Sequence, residues 1–473
     1  MNITALPNDL FLLVVAHLSP SELIACRAIC KSWQKAFTDS DRSRRLLQRH
    51  YPRVRELQQP FRDEEQDWSQ TLATVCRRYY YLKAGRPRKV QQFALKKSLM
   101  VPEWARHFPV ATWQRQLSYE TKTAPFHYPD PLWTYDDGVL IFPSAELQRY
   151  VVYDLAVATF GDVDFQSETK VVRRIRLKER VLVVEWCEYE PYHRLNEIEM
   201  VHRHFATAYD LVWDKEKIQW NARFRNEWKI HFLGLPLNSS DRFFTAHTAT
   251  HWAMYLWQPN RSAWGEDDPI ERLAVWDISS PSTYRPSEDL TGSFKPNDNA
   301  KGPRIIRQLS FSDLDFYRIR QRSTPTLREL ELDENNLYFV QEDHRWLAGQ
   351  QASHSLPRLH MVKVVGLPFV VGPEWVDECG ADGDVNLSFC ERSEDERHPS
   401  RAPCWRHEEF PYLTISEAFD AQAGPHVRMS GPGYDVSLRD DLWQQLLAKG
   451  KICGDERWLV GENSDHEIEI LYF

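Results

Sequence analysis

Residues 6–39 read LPNDLFLLVVAHLSPSELIACRAICKSWQKAFTD, and this stretch decides how the chain is organised. Pro7 suits the first position of a helix, because its missing N–H would be unsatisfied there in any case. Leu10, Leu13 and Val14 follow at helical spacing. The pattern predicts a first short helix with an apolar stripe.

The start of a second helix is marked by Ser19, Pro20 and Glu22. Ser19 is a natural N-cap, Pro20 fits the first turn, and Glu22 stands three residues after the cap, which makes a capping box. Leu18 and Leu23 flank this signal and can form the hydrophobic staple that fixes the angle between two helices. The sequence therefore predicts a second helix that turns directly out of the first.

A third short helix is predicted because the apolar positions continue beyond the second one. They are Leu23, Cys26, Ile29, Cys30, Trp33, Ala36 and Phe37. Three helices in about forty residues cannot bury enough apolar surface to be securely stable alone. Such a unit needs a partner or a neighbouring domain.

The segment resembles an F-box over roughly residues 3–43, in the order of its apolar, proline and tryptophan positions. In that family these positions pack against the C-terminal helices of the Skp adaptor, which is held by a cullin scaffold. The resemblance implies adaptor contacts for Leu6, Pro7, Leu10, Val14, Leu18, Pro20, Leu23, Ile29 and Trp33. The alternative is an ordinary three-helix N-terminal cap.

A helical connector is expected over residues 44–87, with helical spacing from Trp68 to Tyr79 and an end near Gly85. The stretch DWSQTLATVCRRYYYLKAGRPRKV, residues 67–90, resembles the connector of many filamentous-fungal F-box proteins. Its expected function is to hold the following domain rigidly away from the adaptor.

Short β runs replace the helical pattern from about residue 88 onward, and they come in pairs. The pairs are Val139–Phe142 with Tyr150–Leu155, Val181–Trp186 with Phe205–Leu211, His251–Trp257 with Leu273–Ile278, Leu337–Gln341 with Leu359–Val365, and Trp458–Val460 with Ile468–Tyr472. Residues 88–473 are therefore expected to form a β-rich substrate-recognition domain.

Three of the β runs end alike, in VVYDL with Asp154, TAYDL with Asp210 and AVWDI with Asp277. This recurrence is similar to the outer strands of propeller blades, where an Asp at the strand end caps a turn. The fold class expected is an α+β multidomain protein: an F-box at 1–43, a connector at 44–87 and an all-β domain at 88–473. That domain is expected to be a degenerate β-propeller, with a β-sandwich as the alternative.

Charge and composition restrict the partners and the compartment. The net charge is −9, and the long region after residue 106 is predominantly acidic, which argues against nucleic-acid binding. No apolar run approaches the roughly 20 residues of a membrane span. The 8 cysteines are scattered, without the pairing of a secreted scaffold, so the cytoplasm or the nucleus is expected.

No catalytic motif, phosphate loop or cofactor fingerprint occurs, so no catalytic residue and no cofactor are predicted. Cys404 and His407 form the one tight pair in a loose Cys/His group, which is too little for zinc, and no metal is predicted. Arg318, Arg320 and Arg322 alternate with other residues in DFYRIRQR. On a strand they would share one face and could bind a phosphorylated or acidic substrate, although a solvated face is the simpler interpretation.

These patterns together predict a non-catalytic substrate receptor of a Skp-cullin-F-box (SCF-type) ubiquitin ligase. Its partners would be the Skp adaptor, a cullin through that adaptor, and an unidentified protein substrate. The alternatives are an F-box scaffold that acts outside cullin complexes, and an enzyme or metal protein that carries an F-box as an appendage.

Overall fold

The computed structural model describes residues 6–52, 54–58, 67–96, 131–194, 196–197, 200–230, 242–258, 268–295, 301–322, 327–345, 359–369, 375–382, 408–410, 413–420, 424–431, 434–437 and 452–473. Among these residues no helix is long and apolar enough to cross a membrane.

Helices dominate the N-terminal part of the chain. They are α1 (Asn8–Val15), α2 (Pro20–Cys26), α3 (Lys31–Phe37), α4 (Ser40–His50), α5 (Arg55–Gln58) and α6 (Trp68–Lys83), and a later helix, α7 (Phe311–Phe316), lies within the β region. The helices predicted from the sequence are confirmed. Helix α4 runs across the boundary expected at residues 43 and 44, so the first three helices and the connector are continuous in structure.

Helices α1–α6 share one apolar core, and we call residues 6–83 the helical module. Its fully buried members include Phe11, Val15, Leu47, Val75 and Leu82. The same core also takes in side chains from the C-terminal strands of the chain, namely Ile452, Leu459, Leu471 and Phe473. Residues of the expected connector therefore pack in one core with the first helices and with the C-terminal strands.

The rest of the described chain is built of antiparallel strands. They are β1 (Lys89–Ala94), β2 (Thr134–Asp136), β3 (Val139–Pro143), β4 (Tyr150–Asp154), β5 (Thr159–Asp162), β6 (Lys170–Lys178), β7 (Val181–Glu188), β8 (His193–Arg194), β9 (Met200–Val201), β10 (His204–Asp214), β11 (Gln219–Ile230), β12 (Arg242–His247), β13 (His251–Gln258), β14 (Ile270–Asp277), β15 (Arg304–Leu309), β16 (Leu327–Leu332), β17 (Asn336–Arg345), β18 (Leu359–Pro368), β19 (Trp375–Asp382), β20 (Glu408–Phe410), β21 (Leu413–Asp420), β22 (Gly424–Gly431), β23 (Tyr434–Ser437), β24 (Ile452–Asp455), β25 (Trp458–Glu462) and β26 (Glu467–Tyr472).

The strands are grouped in small sheets, and the described residues contain six of four strands each, plus the β8-β9 hairpin. The orders are β2-β3-β4-β5, β11-β10-β7-β6, β12-β13-β14-β15, β16-β17-β18-β19, β20-β21-β22-β23 and β1-β26-β25-β24. The strand pairs expected from the sequence are confirmed within these sheets. Several small sheets, and not the two large ones of a sandwich, make up the β region.

The sheet β1-β26-β25-β24, which we call the closing sheet, joins the two ends of the β region. Strand β1 pairs antiparallel with β26, so that Val90 lies opposite Leu471. Because side chains alternate along a strand, β25 of the closing sheet is buried on both faces. Leu459 packs into the helical core, whereas its neighbour Val460 packs against residues of the sheet β2-β3-β4-β5.

Neighbouring sheets are joined by shared apolar clusters. One cluster links the closing sheet to β3 and β4, a second links β3 and β4 to β7 and β10, a third links β7 and β10 to β13 and β14, and a fourth links β13 and β14 to β17 and β18. The closing sheet and the sheets that contain β3, β7, β13 and β17 therefore pack one against the next in this order.

The recurring aspartates are placed differently from the expectation. Asp154, Asp210 and Asp277 lie on strands with a neighbour on each side, and not on outer strands. Asp154 and Asp277 do cap turns, since each accepts a hydrogen bond from the backbone N–H two residues later. Asp210 lies inside a longer strand and pairs with Arg225, at 2.5 Å.

Candidate adaptor-binding site

Helix α2 begins as its sequence predicts, whereas α1 begins one residue later than expected, with Pro7 at the N-cap and not at the first helical position. Pro7 precedes α1 in an extended conformation, and the Phe11 N–H donates to the Pro7 carbonyl at 2.9 Å. At α2 the capping box is complete: the Glu22 N–H donates to the Ser19 hydroxyl, and the Ser19 N–H donates to the Glu22 carboxylate at 2.7 Å. Hydrogen bonds from the Ser19 side chain and from the Ser19 N–H to the carboxylate lower the pKa of Glu22, because they stabilise its charged form.

An aromatic cluster holds the first three helices together. The Phe11 and Phe37 rings meet edge to face at 5.2 Å, and the Trp33 ring stacks on Phe37 at 5.5 Å. Phe11, Phe37 and Leu23 are buried, whereas Trp33 is partly buried against the same core. Such edge and stacked contacts add to the stability given by apolar burial alone.

Two arginines fix these helices on the connector. Arg42 of α4 donates to the Asn8 side chain at 2.8 Å and covers the Phe11 ring at 4.4 Å. Arg27, which follows α2, donates to the Ser69 carbonyl of α6 at 3.0 Å. The orientation of α1 and α2 is thus set by α4 and α6, and their outer surface is presented as one rigid face.

That outer surface is strongly apolar. On α1 the side chains of Leu10, Leu13 and Val14 are 49%, 61% and 45% exposed, and Ile29 after α2 is 59% exposed. The three α1 residues stand at i, i+3 and i+4, so they lie on one side of the helix, while Phe11 and Val15 turn into the core. We call Leu10, Leu13 and Val14 the α1 stripe. Large apolar side chains grouped in this way mark a surface that binds another protein.

The residues assigned to the adaptor from the sequence fall into three groups in the structure. Pro7, Leu10, Val14 and Ile29 are exposed; Leu6, Leu18, Pro20 and Trp33 are partly buried; and Leu23 is buried. The exposed group can contact a partner directly. Leu23 serves the core of the helical module, so any effect on adaptor binding would be indirect.

Leu13 is the residue that the sequence assignment missed. It is the most exposed member of the α1 stripe. The signal was present, because Leu13 stands three residues after Leu10, where a helix brings the two side chains to the same side. A helical wheel of residues 8–15 would have added it.

The helical module is joined to the β region by ion pairs, of which the pair of Arg78 and Glu456 is buried. Arg78 of α6 donates to Glu56 at 2.6 Å and to Glu456 at 3.2 Å, and Glu456 lies in the turn between β24 and β25. Arg55 of α5 pairs with Asp137 in the turn between β2 and β3. Burial raises the pKa of Glu456 above its usual range, and the neighbouring Asp455 adds to the shift. The adaptor face and the β region are thus held in a fixed relation.

The strand that would place Arg318, Arg320 and Arg322 on one face is not formed, whereas binding of a substrate by these residues stays a prediction. Residues 317–322 follow helix α7 as an irregular segment, and Arg318 and Arg322 have backbone φ angles of 56° and 51°, outside any strand conformation. A capping box of Ser310 and Asp313 begins α7 and turns the chain away from the extended form. The side chains therefore do not share a face.

Two of these arginines are already paired within the protein. Arg320 donates to Asp315 at 2.8 Å and to Asp268 at 2.7 Å, and its side chain is mostly buried. Arg322 pairs with the same Asp315 at 3.3 Å, and its N–H donates to Glu271. This arrangement stabilises a local turn, and it leaves two of the three guanidinium groups committed to internal carboxylates.

The described residues contain no group of three or more His, Cys, Asp or Glu side chains that could hold a metal ion. Cys390, His398, Cys404 and His407, from the loose group considered in the sequence, lie outside the described residues. The site that the structure builds most clearly is therefore the apolar face of the first helices.

The comparison with known families agrees with this site. A family model of the F-box domain matches residues 3–45. No curated protein matches the chain. Residues 3–45 therefore form an F-box domain, and such a domain indicates binding of a Skp-type adaptor, generally within a cullin complex. The match ends before the connector, so the resemblance of residues 67–90 to fungal connectors stays a prediction.

Proposed function

We propose that this protein is the substrate-receptor subunit of an SCF-type ubiquitin ligase. The observation that carries the proposal is the α1 stripe, which is apolar, exposed and rigidly supported. In this function the stripe packs on the Skp adaptor, and the adaptor links the chain to a cullin. The receptor needs no catalytic group, because the other subunits supply the bond-making chemistry.

The β region would act by holding a target protein. Tethering a target to the ligase raises the effective concentration of its lysines near the activated ubiquitin. The ion pairs of Arg55 and Arg78 support this function, since they keep the target-holding region in a fixed relation to the adaptor face.

We further propose that the β region is a six-bladed propeller, each four-stranded sheet being one blade. Support comes from the closing sheet, which combines β1 with β24, β25 and β26, and from the sequential packing of neighbouring sheets. A ring closed in this way has no open edge between its first and last blades, which protects it from strand pairing with other chains. The cytoplasm or nucleus is the proposed compartment, as for SCF-type ligases.

The adaptor assignment is tested by reversing the polarity of the α1 stripe. The double substitution Leu10→Asp and Val14→Asp is expected to weaken binding of the purified Skp adaptor about a hundredfold, since each lost anchor costs about tenfold. The matched control is Val157→Asp with Ile218→Asp, two exposed apolar side chains in turns of the β region. Equal adaptor binding by all three proteins would reject the assignment.

Assembly with the cullin is a separate measurement. The chain, the adaptor and the cullin are co-expressed, and the complex is isolated through a tag on this chain. Co-purification of the cullin in proportion to the adaptor supports the receptor function. Adaptor without cullin would favour a scaffold that acts outside the ligase.

A further inference from the structure

Helix α6 and the segment that follows it form a strongly basic stretch. Residues 68–96 contain 7 Lys and Arg side chains and no Asp or Glu. The whole chain has 59 basic and 68 acidic side chains, so the remainder of the chain without this stretch has a net charge of −16. The positive charge is therefore local, and it lies on a part of the chain that the adaptor assignment does not use.

Three of the seven basic side chains have partners within the protein. Arg78 is buried and pairs with two glutamates. The Lys89 ammonium donates to the Gln91 side chain at 3.1 Å, and the Lys96 ammonium donates to a backbone carbonyl at 2.8 Å. The charges of these three residues serve contacts inside the fold.

The other four basic side chains are those of Arg77, Lys83, Arg86 and Arg88, and all four are exposed. Within the described part of the chain, none of the four forms an ion pair or a side-chain hydrogen bond. Tyr80 stands between Arg77 and Lys83, and it is 65% exposed. We call these five residues the basic face. Its charges have no partner in the fold, so an anionic ligand can pair with them.

Helical spacing brings the first three members of the basic face together. Arg77, Tyr80 and Lys83 stand three residues apart on α6, where each side chain is a neighbour of the next. The ridge from Arg77 to Lys83 is about 9 Å long. The Tyr80 ring meets the Tyr81 ring edge to face at 5.7 Å. An aromatic ring between two cations can contact an apolar group and an acidic group of the same ligand.

The end of α6 positions the other two members. Gly85 takes the left-handed φ of 58° that ends many helices, and the Arg86 N–H donates back to the Tyr81 carbonyl at 3.1 Å. Arg86 therefore lies beside the last turn of α6. Two residues later the Arg88 N–H donates to the Tyr472 carbonyl at 2.7 Å, where β1 begins to pair with β26. The basic face thus extends from the helical module to the closing sheet.

The basic face is separate from the contact that fixes helix α2. That contact is made at Ser69, whose carbonyl accepts from Arg27. Arg77 stands 8 residues after Ser69, which is about 12 Å farther along the axis of α6. The face therefore lies at the end of α6 that adjoins the β region.

The charge of the remaining chain favours a short anionic ligand. A nucleic acid or an anionic membrane would extend beyond the basic face and meet a protein whose remainder has a net charge of −16. A short acidic segment of a protein can stay on the face. At about 3.3 Å per residue, a few extended residues are enough to follow the ridge of α6.

We propose that the basic face binds an extended segment of a target protein that is rich in Asp and Glu and includes an apolar side chain. The inference rests on the proposed receptor function and specifies the class of its target. Arg77, Arg86 and Arg88 pair with carboxylates, which guanidinium groups can bind through two hydrogen bonds at once. Tyr80 packs against the apolar side chain.

The test uses the full chain in complex with its Skp adaptor. A phage-displayed library of random peptides is panned on this complex, and enriched peptides are synthesised with a fluorophore for anisotropy titrations. The enriched sequences are expected to be rich in Asp and Glu. Arg77→Glu with Arg86→Glu should weaken their binding at least about tenfold, since two attractive charges become repulsive.

The matched control is Lys215→Glu with Lys217→Glu, which makes the same charge change on two exposed side chains between β10 and β11. This control should leave peptide binding unchanged. Tyr80→Ser should weaken binding several-fold, and added NaCl should weaken it in the wild type because salt screens exposed charges. Thermal unfolding of each variant checks that the fold is retained.

Three results would overturn the proposal. The first is enrichment of peptides without acidic residues, and the second is unchanged peptide binding by the variant of Arg77 and Arg86. The third is a fluorescent single-stranded DNA of mixed sequence that binds more tightly than the peptides and loses its binding in the same variant. That result would assign the basic face to nucleic acid.

Failure of this inference can be told apart from failure of the proposed function. Adaptor and cullin capture is measured on each variant and is expected to stay at the wild-type level. Peptide binding that does not depend on the basic face, with intact cullin capture, rejects only the inference. Acidic-peptide binding that depends on the face, without cullin capture, rejects only the ligase function. Loss of adaptor capture in the variant of Arg77 and Arg86 would assign the face to the adaptor instead.

Discussion

Helix α1 and strand β3 are both short and rich in large apolar residues, but they differ in how many of these residues are buried. Every residue of β3, from Val139 to Pro143, is buried. On α1 only Phe11 and Val15 are buried, and the α1 stripe is exposed on the other side of the helix. The difference is in what covers them, because β3 lies between neighbouring sheets, whereas the described chain offers α1 a cover on one side only.

This contrast shows which part of the protein buries its apolar side chains without a partner. Burying apolar surface contributes about 25 cal/mol per Å². A partner that covers the exposed α1 stripe would therefore gain this contribution in the free energy of binding. The inner strands of the β region gain the same contribution within the chain. We therefore expect mutations in the two regions to separate into effects on folding and effects on adaptor binding.

The largest loss of folding stability is expected from removing the last two strands. A chain that ends at residue 455 loses β25 and β26, and with them Val460 and Ile470, which pack against the neighbouring sheet. It also loses Leu459 and Leu471 from the helical core. We expect no cooperative thermal transition and no native near-ultraviolet circular dichroism in this chain.

The control for the truncation is Val90→Asp on β1 of the full chain. Val90 is exposed although it pairs with β26, so its substitution should leave the transition nearly unchanged. A truncated chain that still melted cooperatively would show that the closing sheet is dispensable. The proposed closed ring would then be wrong.

The next largest loss of stability is expected from breaking the ion pairs between the helical module and the β region. Arg78→Met keeps the apolar stem but leaves the carboxylates of Glu56 and Glu456 without their shared partner. Removing one member of a buried ion pair costs roughly 3–5 kcal/mol in the free energy of unfolding. Urea denaturation measures this loss directly.

The matched control for Arg78 is Arg45→Met. Arg45 is paired with Asp9 at 3.9 Å, and both side chains are exposed. Exposed pairs of this kind contribute little to stability. If both substitutions had equally small effects, the buried pair would not hold the helical module on the β region.

Two adjacent valines on α1 allow a buried and an exposed position of the same helix to be compared directly. Val14 is 45% exposed, whereas Val15 is fully buried. Val15→Ala should lower the free energy of unfolding by roughly 1–3 kcal/mol, since the core loses two methyl groups. Val14→Ala should leave stability nearly unchanged and weaken adaptor binding several-fold. The two measurements are urea denaturation and adaptor titration, and a reversal of the two effects would exclude the α1 stripe as the binding face.

The first helices could be predicted because their signals are local. The capping box of Ser19 and Glu22 and the spacing of Leu10 and Val14 depend only on near neighbours in the sequence. The strand pairs were also found, because apolar β runs stand out between polar loops. What the sequence could not show is burial: Leu23 and Val14 look alike as apolar helix positions, and only packing distinguishes them.

The arginine segment shows how a local pattern misleads. Arg318, Arg320 and Arg322 alternate like a strand, but Ser310 and Asp313 eight and five residues before Arg318 begin a helix that the alternation hides. Similarly, Asp210 was expected to cap a turn, and Asp214 does so instead, because β10 continues four residues further. The long-range pair of Arg78 and Glu456 has no sequence signal, since its partners are brought together only by the closing sheet.

A pH dependence of stability is expected at the contact of Glu456 with Arg78. Glu456 is fully buried, one of its carboxylate oxygens accepts from Arg78 at 3.2 Å, and the other has no hydrogen-bond partner among the described residues. Burial raises the pKa of Glu456 in the folded protein above its value in the unfolded chain, near 4.5. The folded state therefore binds this proton more tightly.

A raised folded-state pKa fixes the sign of the effect. The stabilising contribution of Glu456 is complete below its unfolded pKa and is lost as the pH rises through the folded pKa. The substitution Glu456→Gln places a side chain there that does not ionise. The variant should therefore be about as stable as the wild type near pH 4 and more stable as the pH approaches about 8. Urea denaturation of both proteins across this range gives the difference, in which the titrations that they share cancel. A difference that stayed constant, or one that favoured the wild type at high pH, would mean that Arg78 stabilises the ionised carboxylate by more than burial costs it.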